Sequence, residues 1–243
     1  MRKIVAIIQA RMGSTRLPGK VMKEIVGFPM LWHVVNRLKH SILLDRIVVA
    51  TTINSKDDII EDFCKKNNIE LFRGNEDDVL DRYYMSAKHF EADIIVRITS
   101  DCPLIDPYIV DLVIRKHMNC NVDYTSNTLK RTYPLGLDTE VFNFSSLEKA
   151  YYEAKENYQR EHVTVYFYEN PNLFKLQNVE NSINLSYLRW TVDEERDFQF
   201  VSEIYNRLYR EDKIFLMEDI IEVLKKEPHL IEINKDVKQK KIK

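Results

Sequence analysis

Short apolar runs alternate along this chain with longer segments of helical periodicity. Lys3–Gln9 is a continuous, β-branched run, the pattern of a strand buried on both faces. Pro29–His40 then sets Leu31, Val34, Val35 and Leu38 at helical spacing. Ile47–Thr51 predicts a second buried strand, and Ser55 predicts the cap of a helix reaching about Asn67, with acidic residues in its first turn. Glu70–Arg73 predicts a third strand, Asp77–Phe90 a helix, Asp93–Ile98 a fourth strand and Pro107–Met118 a helix with proline in its first turn. Such alternation implies βαβ units: an α/β fold with a mostly parallel, doubly wound, Rossmann-like sheet covered on both faces. Ligands of such sheets bind beyond the carboxyl ends of the strands, near the point where strand order reverses. Two polar loops, after the first and fourth strands, belong to that edge.

The alternation weakens after Val122. Residues 122–182 hold short predicted strands at Asp123–Ser126 and Glu140–Phe142, then helices over Ser145–Lys155 and around Arg160–Tyr168. We read them as an inserted lobe within a single domain spanning residues 1–243. A strand at Tyr187–Val192, a helix at Glu194–Tyr209 and a last helix at Met217–Glu227 complete the expected order.

Composition narrows the classes. In 243 residues, 44% hydrophobic content supplies a full core for one domain, and 30% charged residues supply a soluble surface. A net charge of −2 gives no basic excess for nucleic acid. The basic tail Lys235–Lys243 reads as a frayed, solvated terminus. No apolar run reaches the length of a membrane span. Met1-Arg-Lys leads straight into a strand, with no secretory signal, and Cys64, Cys102 and Cys120 form no Cys-x-x-Cys pair. The expected location is the cytoplasm.

The loop Ala10-Arg-Met-Gly-Ser-Thr-Arg-Leu-Pro-Gly-Lys20 carries three cations, two glycines and two hydroxyls between a strand and a helix. Backbone N–H groups approach a polyphosphate closely only where side chains are small, while Arg and Lys neutralise it. It is not a Walker loop: five residues separate Gly13 from Gly19-Lys20, and Val21 follows. The dinucleotide fingerprint Gly-x-Gly-x-x-Gly is absent as well. Asp101, after the fourth strand, and Asp193, ending the strand near residue 190, are both expected at this edge. Two carboxylates at neighbouring strand ends suit Mg²⁺, which takes one or two carboxylates plus phosphate and water. Asp101 also fits a turn former, and Asp193 a helix N-cap. Asp77 and Asp78 fit either a helix N-terminus or a pocket.

Val5-Ala-Ile-Ile-Gln-Ala-Arg-Met-Gly-Ser-Thr-Arg-Leu-Pro-Gly-Lys20 resembles the opening signature of the cytidylyltransferases that make CMP-activated acidic sugars, the CMP-Kdo and CMP-sialic acid synthetases. It is most similar to the branch typified by the spore-coat polysaccharide protein SpsF. The likeness continues through Val48-Val-Ala-Thr-Thr52, Gly74-Asn-Glu-Asp-Asp-Val-Leu80, Asp101-Cys-Pro-Leu-Ile-Asp-Pro107, Arg160-Glu-His-Val-Thr164 and Arg189-Trp-Thr-Val-Asp193. The resemblance implies transfer of CMP from CTP to an acidic, ulosonic-type sugar with release of pyrophosphate. Implied catalytic residues are Arg11, Lys20, Asp101 and Asp193, the last two as Mg²⁺ ligands. Ser100 and Cys102 depart from the Gly and the Glu or Asn common beside the first ligand.

Implied nucleotide contacts are Ala10, Arg11, Met12, Gly13, Ser14, Arg16, Lys20, Asp78, Ser100 and Asp101. Implied acceptor contacts are Tyr133, Asp138, Glu140, Arg160, His162 and Arg189; His162 also fits a structural histidine. The lobe, rich in aromatics at Tyr151, Tyr152, Tyr158, Tyr166, Phe167 and Tyr168, implies a homodimer. A different acceptor, a glycosyltransferase activity, or a catalytically silent nucleotide-binding subunit are the competing readings.

Overall fold

The computed structural model describes residues 2–240; Met1 and the tail residues Lys241–Lys243 lie outside the described residues. One seven-stranded sheet organises the chain. Its strands are β1 (Ile4–Gln9), β4 (Arg46–Thr52), β5 (Glu70–Gly74), β6 (Ile94–Thr99), β7 (Tyr124–Ser126), β8 (Glu140–Asn143) and β9 (Leu176–Asn178), in the spatial order β5-β4-β1-β6-β8-β7-β9. A small hairpin, β2 (Glu24–Ile25) with β3 (Phe28–Pro29), sits apart. Strands β5, β4, β1 and β6 are all parallel, whereas β8 runs antiparallel to β6 and β7. From β1 the chain winds outward to β4 and β5, then returns to place β6 on the other side. The switch point therefore lies between β1 and β6, the two strands whose following loops carry the candidate chemistry.

Strict alternation of side chains divides the core in two. Ile4, Ala6 and Ile8 of β1 face one layer with α1 (Met30–Leu38), α2 (Asp58–Lys66), α4 (Pro107–Asn119), α8 (Glu195–Leu208) and α9 (Met217–Lys226). Val5 and Ile7 face the other, with α3 (Val79–His89), α5 (Phe144–Glu153) and α7 (Val165–Glu169). Burial on both faces is why these strands read as unbroken apolar runs rather than alternating ones.

Several expectations are corrected. Tyr187–Val192 is not a strand. It runs as an extended segment held by a single bridge, Leu135 to Arg189, and by Val192 N–H donating to Asp101 O at 2.8 Å. Gly136 allows this: its φ is 113°, and a Cβ there would lie 2.5 Å from Thr191 N. Ser55 does not cap a helix; Asn54 does, accepting from Lys56 N–H. The helix expected around Arg160–Tyr168 is two short ones, α6 (Asn157–His162) and α7. They are broken at Val163, whose φ of 58° and the 2.6 Å bond from Thr164 N–H to His162 O close a tight γ-turn.

The strands within 122–182 join the main sheet, as β7 to β9. The lobe's rings mostly serve that chain's own packing. Phe167 is fully buried against Tyr124, Phe142 and Phe174. Tyr151 stacks on Tyr84, Tyr158 donates to Glu169, and Tyr166 donates to Glu153. Tyr152 is exposed. Residues 235–240, the described part of the basic tail, are mostly exposed, as expected, with Gln239 accepting from Arg189 Nη1 at 2.8 Å; Asn234, just before it, is buried.

Candidate active site

The loop after β1 begins as a continuation of the sheet, with Ala10 N–H donating to Ala50 O at 3.2 Å. Its path is then set by one carbonyl and one carboxylate. Met12 O accepts from Ser14 and Gly19 N–H, closing the loop, and Met12 N–H donates to Asp57 Oδ1 at 2.7 Å. Asp57 is buried and also accepts from Thr52 Oγ1, so it is fixed to the end of β4. Leu17 anchors the loop in the core, and Gly19, at φ 68°, takes the left-handed conformation that turns Lys20 inward. Arg11, Gly13 and Arg16 remain exposed, and Ser14 is half-buried. Among the described residues Arg11 has neither a hydrogen bond nor an ion pair. Its cation stands free at the switch point.

Lys20 is the centre of the site. Its Nζ donates to Asp101 Oδ2 at 3.3 Å, to Asp193 Oδ1 at 3.1 Å and to Val192 O at 2.6 Å. Arg16 stands 2.9 Å from Asp193 Oδ1, and Arg189 donates to Oδ2 at 2.9 Å. Burial alone would push the Asp193 carboxyl up, but Lys20, Arg16 and Arg189 together hold it below its ordinary value. The Lys20 ammonium, which burial would lower, is raised by Asp101 and Asp193. Both partners are therefore held charged. Asp101 is steadied by Thr99 Oγ1, which donates to Oδ1 at 2.5 Å. Asp193 does not cap α8; Asp197 meets the free N–H groups of Asp193 and Glu194.

Two carboxylates meeting on one cation at the carboxyl edge of a parallel sheet, beside a free Arg and small-residue backbone, fit a Mg²⁺–triphosphate. Mg²⁺ favours such sparse oxygen donors over an all-protein cage. Asp101 and Asp193 are the residues that would hold it.

Most of the expected acceptor residues already have partners within the chain. Glu140 is buried, paired with Arg97 and accepting from Tyr124 Oη at 2.5 Å. Asp138 takes a bidentate fork from Arg131 at 2.5 and 2.7 Å. Arg160 donates to Asp78 at 2.6 Å and to Tyr151 O at 2.9 Å, tying the start of α3 to the lobe. Asp78 itself caps α3 through Asp81 N–H. Tyr133 is buried in the core, and Arg189 is buried among carboxylates. His162 is half-buried with a lowered pKa, chiefly from burial. Ser100 is buried beside Asp101, its N–H on Gln9 O at 3.2 Å. A concavity of about 720 Å³ lined by Arg2, Asp93, His117 and Asn143 opens at the opposite, amino edge of β6. Its histidine is already satisfied by Thr125 and Asn143.

The sequence profile described as Cytidylyltransferase matches residues 5–242. The chain belongs to the cytidylyltransferase family. It is a nucleotidyltransferase, an enzyme of the CTP-dependent type. Uncharacterized protein MJ1063 of Methanocaldococcus jannaschii is 43% identical over 98% of this chain and 97% of its own length. Spore coat polysaccharide biosynthesis protein SpsF of Bacillus subtilis is 35% identical over 85% of this chain and 88% of its own. A 3-deoxy-manno-octulosonate cytidylyltransferase of Geobacter metallireducens is 38% identical over 46% of this chain and 43% of its own. A solved cytidylyltransferase of Leptospira borgpetersenii superposes with a TM-score of 0.91 at 36% identity, covering 99% of this chain and 100% of that one.

Several residues of this cytidylyltransferase escaped the sequence reading. Asp57 holds the loop after β1, Arg97 pairs with Glu140, and Asp197 braces Asp193. Arg97 left a signal, a charge inside the apolar run Ile94-Ile-Val-Arg-Ile98. Asp57 and Asp197 left none, because acidic residues in a first helical turn are ordinary.

Proposed function

We propose that this enzyme transfers CMP from CTP to an acidic sugar of ulosonic type and releases pyrophosphate, for surface polysaccharide or glycan synthesis. The observation that carries the reading is the Lys20 ammonium bridging Asp101 and Asp193 at the switch point. The triphosphate lies along Ala10–Lys20, with Met12, Gly13 and Ser14 presenting backbone. Arg11 and Arg16 meet its oxygens as bidentate forks, and Lys20 meets them as a point charge. The acceptor hydroxyl attacks the α-phosphorus while the bond to the departing pyrophosphate breaks. Negative charge grows on the phosphate oxygens, where cations fixed beforehand by a folded loop need no reorganisation. Mg²⁺, when bound by Asp101 and Asp193, neutralises phosphate charge and lowers the pKa of an acceptor hydroxyl. The names of the SpsF and 3-deoxy-manno-octulosonate relatives support this acceptor class and the polysaccharide setting. A cytoplasmic homodimer belongs to the same reading, supported by the exposed Tyr152 on the lobe.

One observation favours a different acceptor. Arg160 and Arg189, the cations expected to receive a carboxylate, already pair with Asp78, Asp193 and Asp197. Pyrophosphate release, measured with each of the four ribonucleoside triphosphates against acidic and neutral sugars, tests both readings. Turnover with CTP and a ulosonic acid supports the proposal. Turnover confined to neutral acceptors, or to another triphosphate, overturns it.

A further inference from the structure

Asp193 owes its orientation to groups far along the chain. Arg189 Nη2 donates to Asp193 Oδ2, while Arg189 Nε and Nη2 both reach Asp197, at 2.8 and 3.1 Å. Asp197 has no exposed surface, yet it accepts from the backbone N–H of Asp193 and Glu194 at 3.0 and 3.1 Å. A buried carboxylate needs such a set of donors to meet its oxygens. The last donor comes from the C-terminal segment: Asn234 Nδ2 donates to Asp197 Oδ1 and to Arg189 O, both at 2.9 Å. Gln239 accepts from the remaining arm of the guanidinium, Nη1, at 2.8 Å.

The segment that delivers these two amides is itself fastened. Its 3₁₀ turn, Pro228–Ile233, buries Leu230. Arg196 of α8 donates to Ile233 O at 2.5 Å and Glu232 O at 3.2 Å. A planar guanidinium donating on every side has one orientation, and Asp193 is attached to it.

We propose that the C-terminal segment is a positioning element of the reaction, with Asn234 and Gln239 fixing the Arg189–Asp197 pair and that pair fixing the Asp193 carboxylate for Mg²⁺. The inference rests on the reading of Asp193 as a metal carboxylate. Groups that orient a metal ligand typically change metal affinity by about 10–100-fold when removed. The Asn234 side chain bonds Arg189 O and Asp197, so its effect on the metal passes through that pair to Asp193.

The test uses the full chain and Mn²⁺ as the probe, its free signal followed by electron paramagnetic resonance with CTP saturating. Asn234→Ala weakens Mn²⁺ about tenfold, and Gln239→Ala less, while CTP binding without metal stays within about twofold. Turnover in Asn234→Ala then recovers at high Mg²⁺, a rise in the metal requirement rather than a fall in the limiting rate. Leu224→Ala, a buried position of α9 away from the network, controls for lost stability. Asn234→Ala that lowers the melting temperature as Leu224→Ala does, and leaves Mn²⁺ binding untouched, overturns the proposal. Normal Mn²⁺ binding in Asp193→Asn overturns the underlying metal reading instead.

Discussion

Replacing Lys20 by Met keeps most of the side chain's volume and removes its charge. Cutting one partner from a buried ion pair costs about 3–5 kcal/mol where the other charge is left stranded. Two features of this site reduce that. The Asp101 side chain is 28% exposed and can be hydrated, and Asp193 keeps Arg16 and Arg189, each at 2.9 Å. The unmet part falls on the two carboxylates facing one another, and we expect a loss of about 2 kcal/mol. For a chain of this size that is about 4–8 °C in melting temperature. Mg²⁺ should restore part of it without nucleotide, because a divalent cation bound only by the folded state stabilises by mass action. At ten times its dissociation constant the gain is about 1.4 kcal/mol. Turnover should fall about 10²–10³-fold, the usual cost of removing one fixed donor from a developing oxyanion. Differential scanning fluorimetry across a Mg²⁺ series, paired with pyrophosphate release, measures all three effects. A variant melting within about 1 °C of the parent, insensitive to Mg²⁺ and active within about threefold, would refute the argument that Lys20 neutralises this pair.

Four further outcomes are expected. Asp101→Asn keeps the bond from Thr99 but halves the metal's carboxylates, so turnover should drop by about 10³-fold or more with little change in melting temperature; near-normal rates at saturating Mg²⁺ would remove Asp101 from the site. Gly136→Ala forces a methyl toward Thr191 N and an unfavourable φ, about 1–3 kcal/mol of strain, and should raise the Mg²⁺ requirement through the segment that carries Asp193; unchanged denaturant midpoint and Mg²⁺ dependence would contradict this. His33 is buried with Nε2–H on Ile25 O, and burial lowers its pKa from 6.5 to about 4; the unfolded chain then binds the proton more readily, so stability falls as pH drops from 6.5 toward 4, by about 3 kcal/mol, and His33→Gln should flatten that slope in urea titrations. Light scattering at micromolar concentration should report about twice the 29.0 kDa chain mass, and a fully active monomer would end the dimer reading.

Much of this enzyme was legible in its sequence, for local reasons. The doubly buried strands needed only their unbroken apolar runs. The loops after β1 and β6 were placed at one edge because strands joined by βαβ crossovers run parallel, before any contact was known. The expected strand before Asp193 failed for an equally physical reason. Tyr187–Val192 has strand-like residues, but its neighbour, the Leu135–Leu137 turn, offers one bridging position rather than a ladder.

Tertiary structure alone decided how the charges are used. Arg160 and Arg189 read as candidate ligand contacts, since a sequence does not show which carboxylate lies opposite a guanidinium. Folding set Asp78 against the first and Asp193 with Asp197 against the second. The segment just before the basic tail became a brace, because Leu230 and Asn234 find buried partners on helix α8 and its preceding segment. Propensity and periodicity act over a few residues and survive in the sequence. The pairing of buried charges acts between positions up to 173 residues apart, as Lys20 and Asp193 are, and exists only once the sheet has brought them together.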